Sequence, residues 1–219
     1  WIELVKAQLP GREDRKHIPP YTRIEDLIPE LYPHVKGLLD RPLAIYGHSM
    51  GALVAFELAR ELRRHGHALL VLFVSGRRAP HRPLPPFHAM HDLLEEELVD
   101  RVQSLGGMLP TLLSNGRWRD HFLPTIRADL RLSDVYTYSE ESGFTWPLHA
   151  FLGSHDNLVV REDWEKWEKV AAGEFTRCLL PGGHFFAKEG QAELITRFTA
   201  IIEDALARHE APAGAVRCS

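Results

Sequence analysis

A strand, a serine flanked by glycines, and a helix follow one another within residues 43–64, and this stretch constrains the fold most. Residues 43–46 (Leu-Ala-Ile-Tyr) predict a short buried strand, and residues 49–64, which lack proline, predict a helix. Between them stands the pattern Gly47-x-Ser49-x-Gly51. In this context the pattern is typical of a nucleophile elbow, a tight turn that strains the serine backbone and exposes its hydroxyl. Ser49 is therefore the predicted nucleophile.

The residues around Ser49 favour the same interpretation. Gly47 and Gly51 lack a Cβ, which is expected to let two stretches of backbone approach each other at the turn. The backbone N–H of Met50 falls in the first turn of the helix, where no intrahelical carbonyl can accept from it. We therefore expect the Met50 amide to donate to a developing oxyanion, helped by the positive end of the helix dipole.

Strand and helix patterns alternate along most of the chain. Strands are predicted at residues 2–9, 43–46, 69–74, 148–152 and 175–180, and helices at residues 24–39, 49–64, 162–172 and 191–208. The run at 69–74 is apolar throughout, as in a strand that is buried on both faces. Such an alternation predicts an α/β fold, with a mostly parallel sheet flanked by helices.

A long helical stretch interrupts this alternation. Residues 87–138 show helical periodicity and contain no strand candidate of comparable strength. We expect an insertion that folds over the strand ends as a lid, with a set of ordinary core helices as the alternative. The expected division is a core of residues 1–80 and 146–209, a helical lid at 81–145, and a disordered tail at 210–219.

A serine hydroxyl needs a base to take its proton, and His184 is the candidate among 13 histidines. It follows the predicted strand 175–180 in a loop that Pro-Gly-Gly at 181–183 bends sharply. In a parallel sheet this loop opens at the carboxyl edge, where Ser49 also stands. His48 is expected to point the wrong way. A structural role for His184 in its loop is the alternative.

The third member of a triad is a carboxylate that orients the imidazole and stabilises its positive form. Asp156 follows the predicted strand 148–152, and the order Ser, Asp, His along the chain accompanies a nucleophile elbow. Glu162 and Asp163 compete, but they fall at a helix start, where the dipole favours acidic residues. Residues 75–77, which follow the preceding strand, offer no carboxylate.

The composition narrows the function classes. A net charge of −4 gives no reason to expect nucleic acid or an anionic membrane as a partner, and no run of 18 apolar residues predicts a membrane span. The two cysteines, Cys178 and Cys218, favour a reducing compartment, so we expect a cytoplasmic protein. Motifs for metal ions and nucleotides are missing, so no cofactor is expected.

The sequence resembles a type II thioesterase of the α/β-hydrolase superfamily, the editing thioesterases that accompany polyketide and nonribosomal peptide synthetases. The matching stretches span nearly the whole chain: residues 8–13 (Gln-Leu-Pro-Gly-Arg-Glu), 47–51 (Gly-His-Ser-Met-Gly), 73–76 (Phe-Val-Ser-Gly), 79–80 (Ala-Pro), 105–107 (Leu-Gly-Gly), 123–124 (Leu-Pro), 127–129 (Arg-Ala-Asp) and 181–186 (Pro-Gly-Gly-His-Phe-Phe).

This resemblance implies that Ser49, Asp156 and His184 form the triad and that residues 87–138 form a lid over an acyl pocket. It implies hydrolysis of acyl or aminoacyl thioesters on the phosphopantetheine arm of acyl or peptidyl carrier proteins, by an enzyme that we expect to be a monomer. A carboxylester hydrolase with the same triad and a non-catalytic binding module are the alternatives. The pocket candidates, which could equally be lid core, are Phe87, Met90, Met108, Leu112, Leu113 and Trp118.

One feature of that family has no counterpart here. Its members begin with a strand and a loop of His-x-Gly-Gly type, which supplies the second oxyanion amide. The sequence begins at Trp1, just before the stretch at 8–13, so we expect that the N-terminal strand and its loop are missing from it.

Overall fold

The computed structural model describes residues 2–85, 88–104 and 116–210. The chain divides into two compact units, the first made of Trp1–Pro29 and Pro83–Thr137 and the second of Glu30–Arg82 and Tyr138–Ser219. The predicted tail lies outside the described residues, apart from Glu210, which ends the last helix. Among the helices that are described, none is long and apolar enough to cross a membrane.

The second unit is built on a parallel sheet of four strands. These are β1 (Ala44–His48), β2 (Val71–Ser75), β3 (Leu148–Gly153) and β4 (Phe175–Leu180), and they lie in the order β1-β2-β3-β4. Every residue of β2 and β3 is buried, as the continuous apolar run at 69–74 predicted for the former. All three strand pairs are parallel, which confirms the predicted sheet.

Helices alternate with these strands. They are α1 (Ile24–Lys36), α2 (Met50–Arg64), α3 (Glu95–Ser104), α4 (Gly116–Asp134), α5 (Arg161–Glu165), α6 (Phe186–Glu189) and α7 (Gln191–Glu210). Val71 and Phe73 of β2 pack with Phe186 and Leu194 of the C-terminal helices in one hydrophobic cluster. Since side chains alternate between the faces of a strand, Leu72 points to the opposite face.

The predicted helix at 162–172 takes a different form. It is an α-helix only as far as Glu165 and continues as a 3-10 helix over Lys166–Val170. Trp164, Trp167 and Val170 are buried and stand three residues apart. A 3-10 helix has three residues per turn, so it places Trp167 and Val170, which both belong to it, on the same face.

The predicted strand at residues 2–9 does not form. These residues have no regular secondary structure, and the side chain of Leu4 is 93% exposed. A loose alternation of apolar residues indicates a strand only if a partner strand is available to satisfy its backbone groups. Among the described residues, this segment pairs with none of the four strands.

The first unit holds the helices that interrupt the α/β alternation. Leu98 and Val102 of α3 pack with Leu123 of α4 and with Met90 in a second hydrophobic cluster. The N-terminal turn belongs to the same unit, because Thr125 Oγ1 donates to the Gly11 carbonyl at 3.0 Å. The helical pattern is thus confirmed over α3 and α4, and the role of these helices as a lid stays a prediction.

Candidate active site

Ser49 lies in the turn between β1 and α2 and has the backbone conformation of a nucleophile elbow. Its φ of 54° and ψ of −118° fall in a region that residues other than glycine rarely adopt. Strain of this kind costs on the order of 1–3 kcal/mol and persists only where neighbouring contacts hold it. Here the Ser49 amide donates to the Ser75 carbonyl of β2 at 2.9 Å, and the Ser49 carbonyl accepts from the Ala52 amide at 3.0 Å.

The two glycines of the elbow are unequal. A Cβ added to Gly47 would overlap with the backbone carbonyl of Gly51, so the close approach requires glycine at position 47. A Cβ added to Gly51 would meet nothing within 4 Å. The expectation that both positions need glycine for this approach is therefore wrong for Gly51, whose backbone is the part that comes close.

The structure brings together the three side chains singled out from the sequence. His184 lies in the loop after β4, and its Nε2 is 3.0 Å from Ser49 Oγ. Its Nδ1 is 2.9 Å from Oδ2 of Asp156, which lies in the loop after β3. The carboxyl ends of parallel strands share one edge of a sheet, and this shared edge explains how residues 135 positions apart meet.

Both carboxylate oxygens of Asp156 have partners. Oδ1 accepts hydrogen bonds from the backbone amides of Leu158 and Val159 at 2.9 and 3.2 Å, which leaves Oδ2 to face His184. Of the two competing carboxylates, Asp163 instead pairs with Arg82 at 2.5 Å. The geometry therefore favours Asp156 as the group that orients the imidazole.

Sequence reasoning missed a second set of side chains beside Ser49. The Ser75 hydroxyl lies 3.0 Å from Tyr46 Oη and 2.8 Å from His48 Nδ1. The His48 ring does not reach toward Ser49 as a base would; it lies next to the His184 ring, with centroids 5.0 Å apart. The one available signal was the position of Ser75 at the carboxyl end of a strand expected to neighbour β1.

The other residues singled out from the sequence are the oxyanion donor and the candidates for an acyl pocket. Met50 begins α2, and the amide of a first helical residue has no intrahelical acceptor. Met90 belongs to the hydrophobic cluster of the first unit, and Trp118 is 48% exposed and stacks on Phe122. The other pocket candidates lie outside the described residues: Phe87, Met108, Leu112 and Leu113.

The arrangement can perform nucleophilic catalysis. A serine hydroxyl on a strained turn, a histidine nitrogen within hydrogen-bond distance of it, and a buried carboxylate on the other ring nitrogen are the parts that acyl transfer through an acyl-serine requires. Oxygen esters and thioesters both contain a carbonyl that such a serine can attack. Geometry alone does not choose between them.

Known proteins narrow the choice. A profile of the thioesterase domain family matches residues 1–203. Gramicidin S biosynthesis protein GrsT of Aneurinibacillus migulanus is 37% identical over 195 residues, which cover 89% of this chain and 76% of GrsT. The solved structure of BorB, the type II thioesterase of the borrelidin biosynthetic cluster, is similar with a TM-score of 0.80 at 33% identity, over 89% of this chain and 79% of BorB.

A further solved structure is YbtT, described as the type II thioesterase of the yersiniabactin NRPS/PKS pathway. It is similar with a TM-score of 0.81 at 27% identity, over 90% of this chain and 80% of YbtT. These neighbours have the α/β-hydrolase fold, to which the parallel sheet and elbow described above also belong. The chain therefore belongs to the thioesterase family and is a thioester hydrolase that resembles the type II enzymes of polyketide and nonribosomal peptide biosynthesis.

Proposed function

We propose that this thioesterase removes acyl or aminoacyl groups from the phosphopantetheine arm of carrier proteins, and that Ser49, His184 and Asp156 are its catalytic triad. The observation that carries the proposal is the pair of contacts made by His184, 3.0 Å to Ser49 Oγ and 2.9 Å to Asp156 Oδ2. In this proposal the enzyme is a cytoplasmic monomer that uses no metal or cofactor of its own.

The first half of the reaction forms an acyl-enzyme. Ser49 Oγ attacks the thioester carbonyl carbon while His184 Nε2 takes the hydroxyl proton. The Met50 amide donates to the oxyanion that develops on the carbonyl oxygen. The carbon–sulfur bond then breaks, and the thiol leaves with the proton held by His184. Because a thiolate is a good leaving group, little acid assistance is needed.

The second half releases the acid. Water attacks the acyl-serine carbonyl while His184 again acts as the base, and the ester bond to Ser49 breaks as the proton returns to Oγ. Asp156 faces the imidazolium in both halves and stabilises its positive charge. Its backbone hydrogen bonds hold the carboxylate in one orientation during the cycle.

The relatives support a carrier-protein substrate. YbtT and ClbQ are both described as belonging to NRPS/PKS pathways. Such pathways hold their intermediates as thioesters on carrier proteins, so a separate thioesterase can clear units that are stalled or misprimed. This editing role is the part of the proposal that rests on the relatives rather than on geometry.

The test compares two substrates that carry the same acyl chain, an acyl carrier protein thioester and a p-nitrophenyl ester. We expect the carrier-protein thioester to be preferred in kcat/KM, and Ser49→Ala to abolish turnover of both substrates. A fluorophosphonate should label Ser49 in the unaltered enzyme. Preference for the p-nitrophenyl ester would instead favour a carboxylester hydrolase. Full turnover by Ser49→Ala would refute the mechanism, and absence of labelling would favour a binding module.

A further inference from the structure

Three side chains beside the triad take no part in the mechanism above. They are Tyr46, His48 and Ser75, here called the Ser75 network. The Ser75 side chain is buried, and its hydroxyl lies within 3.0 Å of both Tyr46 Oη and His48 Nδ1. The carbonyl of the same residue accepts the Ser49 amide at 2.9 Å. One residue thus holds both the nucleophile's backbone and the neighbouring histidine ring.

Gly76 leaves open the space that the His48 ring occupies. Gly76, the residue after Ser75, has φ +59°, and a Cβ there would come within 3.0 Å of the His48 ring. On its other side the ring faces His184 at 5.0 Å and Phe185 and Phe186 at 6.0 and 5.9 Å between centroids. The imidazole of His48 therefore packs beside the imidazole of His184 and limits its movement on that side.

The His48 ring is neutral in the folded protein at neutral pH. Burial, followed by the charge of His184, lowers its pKa to about 4, and the opposing effect of Asp156 is smaller. Its Nε2 is buried and has no hydrogen-bond partner within the described part of the chain. A neutral neighbour imposes no charge repulsion when His184 becomes an imidazolium, whereas a cation at this place would oppose the proton transfer.

We propose that His48 is a positioning residue for the hydrolysis: Ser75 and Gly76 hold its neutral ring against His184, and this contact keeps Nε2 of His184 aligned with Ser49 Oγ through both proton transfers. The inference rests on the proposed role of His184 as the base. It assigns to the second residue of the Gly-His-Ser-Met-Gly stretch a task distinct from that of the nucleophile beside it.

The size of the effect follows from the geometry. A displacement of about 1 Å at a reacting group can cost about a hundredfold in rate. Removing the His48 ring by His48→Ala is therefore expected to lower kcat by about 10- to 100-fold. KM is expected to change by less than about twofold, because the His48 ring contacts Ser75 and lies against the His184 ring. His48→Phe keeps a neutral ring and should recover most of the lost kcat.

Ser75→Ala tests whether Ser75 affects the reaction through His48. Alone, it should lower kcat by about three- to tenfold, because the His48 ring loses its hydrogen bond. In a His48→Ala background it should have almost no further effect, since the ring that it orients is gone. Equal effects of Ser75→Ala in both backgrounds would overturn the proposal.

His149→Ala is the matched control. His149 is a buried histidine, its Nδ1 lies 2.5 Å from a hydroxyl oxygen, Thr176 Oγ1, and its Nε2, like that of His48, is buried and has no partner among the described residues. It lies in β3 near the strand's amino end, away from the edge that carries the triad. His149→Ala should lower the melting temperature and leave kcat within about twofold. Equal losses of kcat in His48→Ala and His149→Ala would mean that His48 serves only folding.

The rate of Ser49 labelling by a fluorophosphonate gives a readout that does not depend on the natural substrate. We expect His48→Ala to slow labelling by about the same factor as kcat, because both reactions need His184 aligned with Ser49. If labelling of the unaltered enzyme is fast but no carrier-protein thioester is cleaved, the proposed substrate is wrong while the role of His48 is still measured. Normal labelling by a folded His48→Ala variant would overturn that role.

Discussion

Nδ1 of His184 lies 2.9 Å from Oδ2 of Asp156, and these two side chains are 3% and 0% exposed. In a site with so little water, the carboxylate is the group that can compensate a positive charge on the imidazole. The other oxygen of Asp156 already accepts two backbone hydrogen bonds, so the carboxylate cannot rotate without losing them. The orientation of the His184 imidazole is thus fixed by the loop after β3.

Asp156→Asn should lower kcat by about 10³- to 10⁴-fold with little loss of stability. The amides of Leu158 and Val159 will select the asparagine carbonyl oxygen at the Oδ1 position, which places the NH₂ group opposite His184 Nδ1. The imidazole must then accept at Nδ1 and carry its proton on Nε2, where it cannot take the proton of Ser49. Steady-state hydrolysis of an acyl thioester measures the loss.

Asp163→Asn is the control for this substitution. Asp163 pairs with Arg82 and falls at the start of α5, so its change should leave kcat within about twofold. A larger loss of kcat from Asp163→Asn than from Asp156→Asn would mean that the triad carboxylate has been assigned to the wrong residue.

Gly47→Ala should destabilise the protein by on the order of 3 kcal/mol or more, because its Cβ would overlap with backbone atoms of Gly51, which cannot move aside as a side chain could. Gly51→Ala offers the comparison, since a Cβ there meets open space and alanine favours a helix over glycine by about 0.5–1 kcal/mol. Urea unfolding measures both. Similar losses of stability in the two variants would contradict the steric argument.

The sequence was sufficient for the parts of the site that depend on topology. Ser49, Asp156 and His184 follow three different strands, and strands that are parallel bring their carboxyl ends to one edge whatever their exact register. The elbow pattern identified the first of these strands directly, and the runs at 148–152 and 175–180 indicated the other two. For this reason the three residues could be named before the strand order was known.

The Ser75 network depends on strand register, which the sequence does not reveal. In the structure His48 of β1 pairs with Ser75 of β2. A slip of one residue would send the Ser75 side chain to the opposite face of the sheet and separate it from His48. β2 is apolar and buried on both faces, so it carries no alternation that fixes its register with β1, and the contact could not be predicted. The 3-10 segment at Lys166–Val170 was missed for a similar reason, because its three-residue spacing of buried side chains is also compatible with an α-helix.

Arg60→Met should lower the free energy of unfolding by about 3–5 kcal/mol, because it breaks the buried ion pair between Arg60 and Glu57. The Arg60 side chain is 2% exposed and also donates to Ser139 and to Glu141. Its guanidinium lies 5.5 Å from the centroid of the Phe56 ring as well. Chemical denaturation at neutral pH measures the loss.

Arg64→Met is the matched change on the same helix. Arg64 also pairs with Glu141, but its side chain is 42% exposed, so solvent screens the interaction and its removal should cost less than about 1 kcal/mol. Equal costs for Arg60→Met and Arg64→Met would show that burial of the Arg60 guanidinium does not set the strength of the network.

The unaltered protein should lose stability at acid pH, in part because the pKa of His48 is lowered. His48→Phe should abolish the part of this loss that His48 causes. The pKa of His48 is lowered from 6.5 to about 4, chiefly by burial. Between these two pH values His48 binds a proton in the unfolded chain but not in the folded protein, so stability falls as the pH falls from 6.5 to 4. At pH 4.5 the contribution of His48 to this loss is on the order of 2 kcal/mol.

Urea unfolding at pH 7.5 and at pH 4.5 should therefore show a smaller difference in the free energy of unfolding for His48→Phe than for the unaltered protein. Ser75→Ala removes a hydrogen bond of the His48 ring but retains the imidazole, so it should keep the larger difference. An equal pH dependence of stability in all three proteins would mean that the pKa of His48 is not lowered in the folded state. A neutral His48 ring beside His184 would then be excluded.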